Sequence, residues 1–141
     1  MTSDLTELLH QGHHSLVVRQ GMAVRCFDSR GVADLHSLLS QEPQLLRRAT
    51  VADKVVGKAA ASLMMLGGVS ELYADVISDL ALEVLQQSPM AVHYTQRVDH
   101  IINRTRTGWC PMETRCRECH TAEECLRQVE EFLRATKSLK D

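Results

Sequence analysis

Between Glu71 and Thr95 the chain runs strand, helix, strand, and that order narrows what can be built around it. Glu71-Leu-Tyr-Ala-Asp-Val-Ile77 is rich in β-branched and aromatic residues and reads as a strand. Asp79 to Gln87 carries Leu80, Leu82, Val84 and Leu85 at helical spacing, and Ala91-Val-His-Tyr-Thr95 after Pro89 reads as a second strand. A strand, a crossover helix and a strand in one sheet pair in parallel with a right-handed crossing. Nearer the N-terminus, Ser15-Leu-Val-Val-Arg19 and Met22-Ala-Val-Arg-Cys-Phe27 flank Gln20-Gly21 and read as a hairpin. One mixed sheet of about four to five strands, flanked by helices, accommodates both units, so the fold class is α/β.

Helices fill the remaining segments. Leu5, Leu8 and Leu9 lie on one face of a helix from Thr2 to His10, with Thr2 or Ser3 as its cap. Residues 31 to 40 set Val32, Leu35, Leu38 and Leu39 on one stripe, and Pro43 requires that helix to have ended. Thr50 to Leu66, rich in small and apolar residues and closed by Gly67-Gly68, reads as a central buried helix. Thr121 with Glu124 forms a capping box for a last helix carrying Leu126, Val129, Phe132 and Leu133. Gln96 to Met112 reads as a loop. A chain of 141 residues, 44% of them hydrophobic, is expected to form a single domain over residues 1–141 and to bury roughly two thirds of its unfolded surface.

A net charge of −2 supplies no long-range field for a phosphate backbone, so nucleic acid is not an expected partner. The N-terminus carries acidic residues where a secretory signal has basic ones, and no apolar run approaches the ~18 residues of a membrane helix. A cytoplasmic location without membrane association is the resulting expectation. Cys110, Cys116, Cys119 and Cys125 crowd one short stretch, while Cys26 stands apart and is expected to be buried in a strand. In a reducing compartment such crowding points to metal or packing before disulfides.

The polar residues suggest a site. On a helix from Thr50, Lys54 and Lys58 would share one face near the positive end of the dipole. An anion there would offset their repulsion, and Gly57 would let it approach. The alternative makes Asp53 the partner of a Thr50 capping box and lets both lysines reach into water. The loop around Asn103, Arg104, Thr107, Gly108, Trp109, Cys110 and Glu113 concentrates hydrogen-bonding groups beside the single tryptophan. Its arginines could clamp a phosphate and Trp109 could stack on a base, or Trp109 could plug the core while the arginines are solvated. Arg30-Gly31 closes the hairpin at another turn suited to anions.

Cys110-x5-Cys116-x2-Cys119-x5-Cys125, with His120 adjacent, holds enough soft ligands for zinc or an iron–sulfur cluster, although only Cys116 and Cys119 have familiar ligand spacing. Cys125 lies in register with Val129 and Phe132 and also suits a core position. Cys110 as a nucleophile would need His100 or His120 as its base.

Four segments, Arg30 to Leu35, Ala52 to Ala61, Glu71 to Ser78, and His100 to Arg104 with Gly108 to Glu113, together resemble a small bacterial family, the domain of unknown function 1893. The resemblance runs from about Ser15 to Phe132 in the same order and spacing. It implies a cytidine-deaminase-like α/β/α sandwich of three layers, with the central helix and the helix after the third strand framing the place where deaminases bind zinc. A zinc deaminase needs a His (or Cys)-x-Glu on the first helix and Pro-Cys-x-x-Cys on the second, because three ligands hold the ion and the Glu shuttles protons. Here the first is expected to open with Val51-Ala52-Asp53 and the second with Ser78-Asp79-Leu80-Ala81. Zinc-dependent nucleoside deamination is therefore not expected.

Three readings follow. The first is a pocket for a small anionic metabolite such as a nucleotide, walled by Asp53, Lys54, Lys58, Ser78 and the Asn103 to Glu113 loop. In it, Lys54 and Lys58 balance charge, Asn103 and Arg104 orient the ligand, and Trp109 stacks on it. The second is an enzyme using Cys110 as nucleophile or Asp53 as general base, with Lys58 stabilising a developing anion. The third is a metal-bearing interaction module built on the C-terminal cysteines. A homodimer is compatible with each, and no cofactor can be named from these residues.

Overall fold

The hairpin turns where Gly21 takes φ +63°, a conformation glycine adopts without a Cβ clash. It joins β1 (Leu16–Gln20) to β2 (Ala23–Phe27) with Gln20 opposite Ala23. This computed structural model describes residues 4–29, 32–103 and 105–140. The expected cap at Thr2 or Ser3 lies outside them. α1 (Asp4–Gln11) precedes the hairpin, and α2 (Ala33–Gln41) follows it, ending before Pro43.

Residues 50 to 66 depart from the single helix expected. They form β3 (Thr50–Val56) and α3 (Lys58–Gly67), separated by Gly57 in an extended conformation. Thr50, Val51, Val55 and Val56 are β-branched and favour a strand, whereas the alanines, leucines and methionines beyond Gly57 favour a helix. With Asp53 and Lys54 adjacent in its middle and valines on both sides, the run has no period-two alternation to separate it from a helix. Lys54 and Lys58 therefore share no helix face, and no Thr50 capping box exists. Gly68, at φ +81°, ends α3 as the left-handed cap expected of Gly67-Gly68.

β3 pairs antiparallel with β1 and parallel with β4 (Glu71–Ser78), and β4 pairs parallel with β5 (Ala91–Val98) across α4 (Asp79–Leu85). The five-stranded mixed sheet runs β2-β1-β3-β4-β5. A short helix that the loop reading missed, α5 (Pro111–Cys116), precedes α6 (Ala122–Lys140). Thr121 Oγ1 accepts the Glu124 N–H at 3.1 Å, and the Glu124 carboxylate accepts the His120 N–H at 3.2 Å.

α3 packs against α2, α4, α5 and α6. Leu16, Val18, Val51, Leu63, Met64, Leu72, Ile77 and Val129 fill the larger core. Val17 points the other way, joining Leu5, Leu9 and Ala52 under α1. Cys26 is exposed rather than buried, because β2 is an edge strand of the sheet with its residues Ala23 to Cys26 open to solvent. Among the described residues, no helix is long and apolar enough to cross a membrane.

Candidate functional site

The start of α3 is where strand order, a glycine and a distant carboxylate meet. Glu113, on α5, is 2% exposed, and its two oxygens accept the backbone N–H of Lys58 at 2.8 Å and of Ile101 at 2.9 Å. A Cβ on Gly57 would stand 3.0 Å from the nearer oxygen. The helix end expected to hold an external anion thus holds the chain's own carboxylate, and Gly57 gives it room.

Beside this junction lies a cavity of about 740 Å³. β3 contributes Asp53, Lys54 and Val55, α2 contributes Asp34 and Leu35, and α3 contributes Ala59 and Ala60. Ile101, Ile102, Asn103, Thr105, Cys110, Met112, Glu113 and Phe132 close the other side. Asp53 stands on a central strand, paired with Leu16 and Ala74, and is buried. Burial pushes its carboxyl up to about 7, assisted by the charge of Asp75 and opposed by the backbone N–H groups of Val55 and Lys54. The Glu113 oxygens are already bonded and Asp34 accepts the Ser29 N–H, so Lys54, exposed at the rim, is the one cation among the described wall residues.

The 100–110 segment is more ordered than a free binding loop. Ile102 bridges to Trp109, and Asn103 accepts from Thr105 Oγ1 and the Thr107 N–H while donating to Thr107 Oγ1. Trp109 stacks on His100 with centroids 4.1 Å apart, and the Arg117 guanidinium lies 4.6 Å from its ring centre. Its aromatic surface is therefore engaged within the chain rather than turned to the cavity. Thr107, Gly108 and Trp109 do not line the cavity, whereas Asn103 does. Arg30, Gly31 and Arg104 lie outside the described residues.

Lys58 is 9% exposed and faces away from the cavity wall. Its ammonium donates to the carbonyls of Arg117 at 3.1 Å and Cys119 at 2.6 Å. Ser78 is likewise structural: its hydroxyl caps α4 by accepting the Ala81 N–H. Cys110 stands at the N-cap position of α5 without a side-chain capping bond and lines the cavity with Asp53, but among the described residues no imidazole hydrogen-bonds its thiol.

Cys116, Cys119 and Cys125 come together, with their Sγ atoms within 4.8 Å of one another; Cys110 is not among them. Cys116 and Cys125 are buried and Cys119 is half-buried. Hydrogen bonding from Cys116 pulls the Cys125 thiol down to about 6 against its burial, and that bond and burial push Cys116 up. Spacing in the sequence marked Cys116 and Cys119, but Cys125 doubles as a core residue, and nothing local signalled that Lys58 would reach their turn. Thr105 lines the cavity as part of the Asn103 to Glu113 loop, whereas Asp34 and Phe132 entered its wall unannounced, brought there by tertiary packing.

A family model described as a domain of unknown function (DUF1893) matches residues 4–133. The crystal structure of a DUF1893 family protein from Thermotoga maritima is similar at 24% identity, with a TM-score of 0.83 over 93% of this chain and 91% of that one, a likeness of fold. No curated protein matches.

Proposed function

This chain belongs to the DUF1893 family, and from that membership and its cavity we propose a small-molecule-binding protein, a single cytidine-deaminase-like domain of three layers that takes a nucleoside or nucleotide without hydrolysing it. The observation that carries this reading is the cavity of about 740 Å³ with Asp53 buried in its wall and Lys54 at its rim. Its volume falls within the usual range for small-molecule sites. A carboxyl that titrates at about 7 can donate as well as accept near neutral pH, which suits the donor–acceptor edge of a heterocycle. Lys54 at the mouth suits a phosphate, and Arg30 and Arg104 neighbour the wall in sequence. A cytoplasmic location is part of this reading.

In deaminases of that fold a zinc ion would stand between the starts of α3 and α4. Here those starts read Gly57-Lys58-Ala59-Ala60 and Ser78-Asp79-Leu80-Ala81. Lys58 brings an ammonium, and the Ser78 hydroxyl is committed to its helix, so this donor set does not fit zinc and no hydrolytic step follows from it. Cys110 shares the cavity, but a thiol with no bonded imidazole favours binding over nucleophilic catalysis.

Native mass spectrometry of the purified protein, followed by calorimetric titration with nucleosides and their monophosphates, tests the proposal. Asp53→Asn should weaken both ligand types, and Lys54→Ala should weaken only the phosphorylated one. A bare chain that binds neither at millimolar concentration overturns it.

A further inference from the structure

Away from the cavity, the turn between α5 and α6 folds three thiols onto one point. The Cys119 N–H donates to the Cys116 carbonyl at 3.0 Å, a tight turn that aims both side chains the same way. The Thr121 and Glu124 caps then start α6 so that Cys125, in its first turns, faces back toward them. All five cysteines are free, and an odd trio suits one shared ion better than a disulfide, which would leave one thiol over.

We propose that Cys116, Cys119 and Cys125 are the ligands of one thiophilic closed-shell metal ion, Zn2+ or Cu+, which pins the α5–α6 turn to the foot of α3. Three observations support it. Zn–S bonds of about 2.3 Å set tetrahedral sulfurs about 3.8 Å apart, so three atoms already within 4.8 Å need only small rotations to close on an ion. Half-buried Cys119 leaves the trio a route by which an ion can enter from solvent. Lys58 binds the same turn through the Cys119 carbonyl, at 2.6 Å. Zinc held by three thiolates carries one negative charge, which that ammonium offsets; Cu+ would leave one charge uncompensated, so zinc is the expected ion. Each thiol that ligates gives its proton to solvent, and no electron is transferred.

The experiment uses the full chain, reduced and free of metal, titrated with Zn2+, Cu+ and, as a spectroscopic probe, Co2+. One Zn2+ per chain in the native mass spectrum is expected, with a thiolate-to-cobalt charge-transfer band on Co2+ addition that Zn2+ abolishes. Cys119→Ser, at the least buried ligand, should weaken metal binding by roughly 100-fold or more, as loss of a ligand exceeds the usual outer-shell effect. Cys26→Ser and Cys110→Ser should keep the band. Stoichiometric Cu+ with no Zn2+ supports the ligand set with the softer ion. Absence of both ions and of the band from the unaltered chain overturns the proposal, as does a band that survives in Cys119→Ser.

Discussion

The buried Glu113 carboxylate accepts the backbone N–H of Lys58 at 2.8 Å, so the start of α3 is capped by a side chain 55 residues further along the chain. Removing it leaves that N–H and the Ile101 N–H without a partner in a buried place. Each orphaned donor costs about 1–3 kcal/mol, so Glu113→Ala should destabilise the fold by roughly 2–6 kcal/mol in urea unfolding. Glu113→Gln retains one acceptor oxygen and should lose about half as much. Gly57→Ala should also destabilise, since its Cβ would press within 3.0 Å of the same carboxylate. Equal stability of Glu113→Ala and the parent would mean that water replaces the cap.

Asp53 makes stability depend on pH. Its folded carboxyl titrates at about 7 against an ordinary value of 3.8, so the folded state holds its proton more tightly than the unfolded one. The penalty of burying the charge is absent below about 4, grows as pH rises, and is complete above about 7, where it approaches roughly 4 kcal/mol at about 1.4 kcal/mol per unit. Asp53→Asn keeps an oxygen for the Val55 N–H and should flatten this slope. Urea midpoints from pH 4 to 8 for both proteins check it: parallel curves would show that Asp53 is solvated.

What local chemistry encodes was legible. The glycine turn of the hairpin, the stop before Pro43, the β4–α4–β5 unit and the Thr121–Glu124 cap all follow from neighbours a few residues apart. Thr50–Val56 was not legible as a strand, because three buried residues in a row, Val51 to Asp53, followed by two exposed ones, Lys54 and Val55, leave no alternation to read. The same limit applied to the site. Gly57 was singled out as a place where an anion could approach and Glu113 as a member of a binding loop, but only tertiary packing shows that the Glu113 carboxylate is the anion beside Gly57. The sequence likewise offered Trp109 as a stacking surface without showing that His100 already covers it.

Trp109 supplies a test of that difference. Packed between the His100 ring and the Arg117 guanidinium, it holds the 100–110 segment to the α5–α6 turn. Stacked and cation–π pairs contribute about 0.5–1.5 kcal/mol each beyond area burial. Trp109→Ala should therefore lower stability by roughly 2–4 kcal/mol, while ligand affinity, measured under conditions where the variant is folded, changes only a few-fold. Loss of binding without loss of stability would return Trp109 to the cavity.

Lys58 separates the two parts of the molecule most directly. Its ammonium satisfies the carbonyls of Arg117 and Cys119 from a position 9% exposed, so its charge serves the turn after α5 and not the cavity mouth. Lys58→Met keeps an apolar stem of similar length but removes both hydrogen bonds, which, being to a charged donor, should cost about 3–6 kcal/mol together. Hydrogen exchange should quicken first at residues 117–121, ahead of β3 and β4, because that turn loses its tie to α3 while the sheet keeps its ladders. Binding of a nucleoside in the cavity should persist in this variant, whereas Asp53→Asn should reverse the pattern, sparing the turn and weakening the ligand. If Lys58→Met abolished ligand binding with exchange at 117–121 unchanged, Lys58 would belong to the cavity after all.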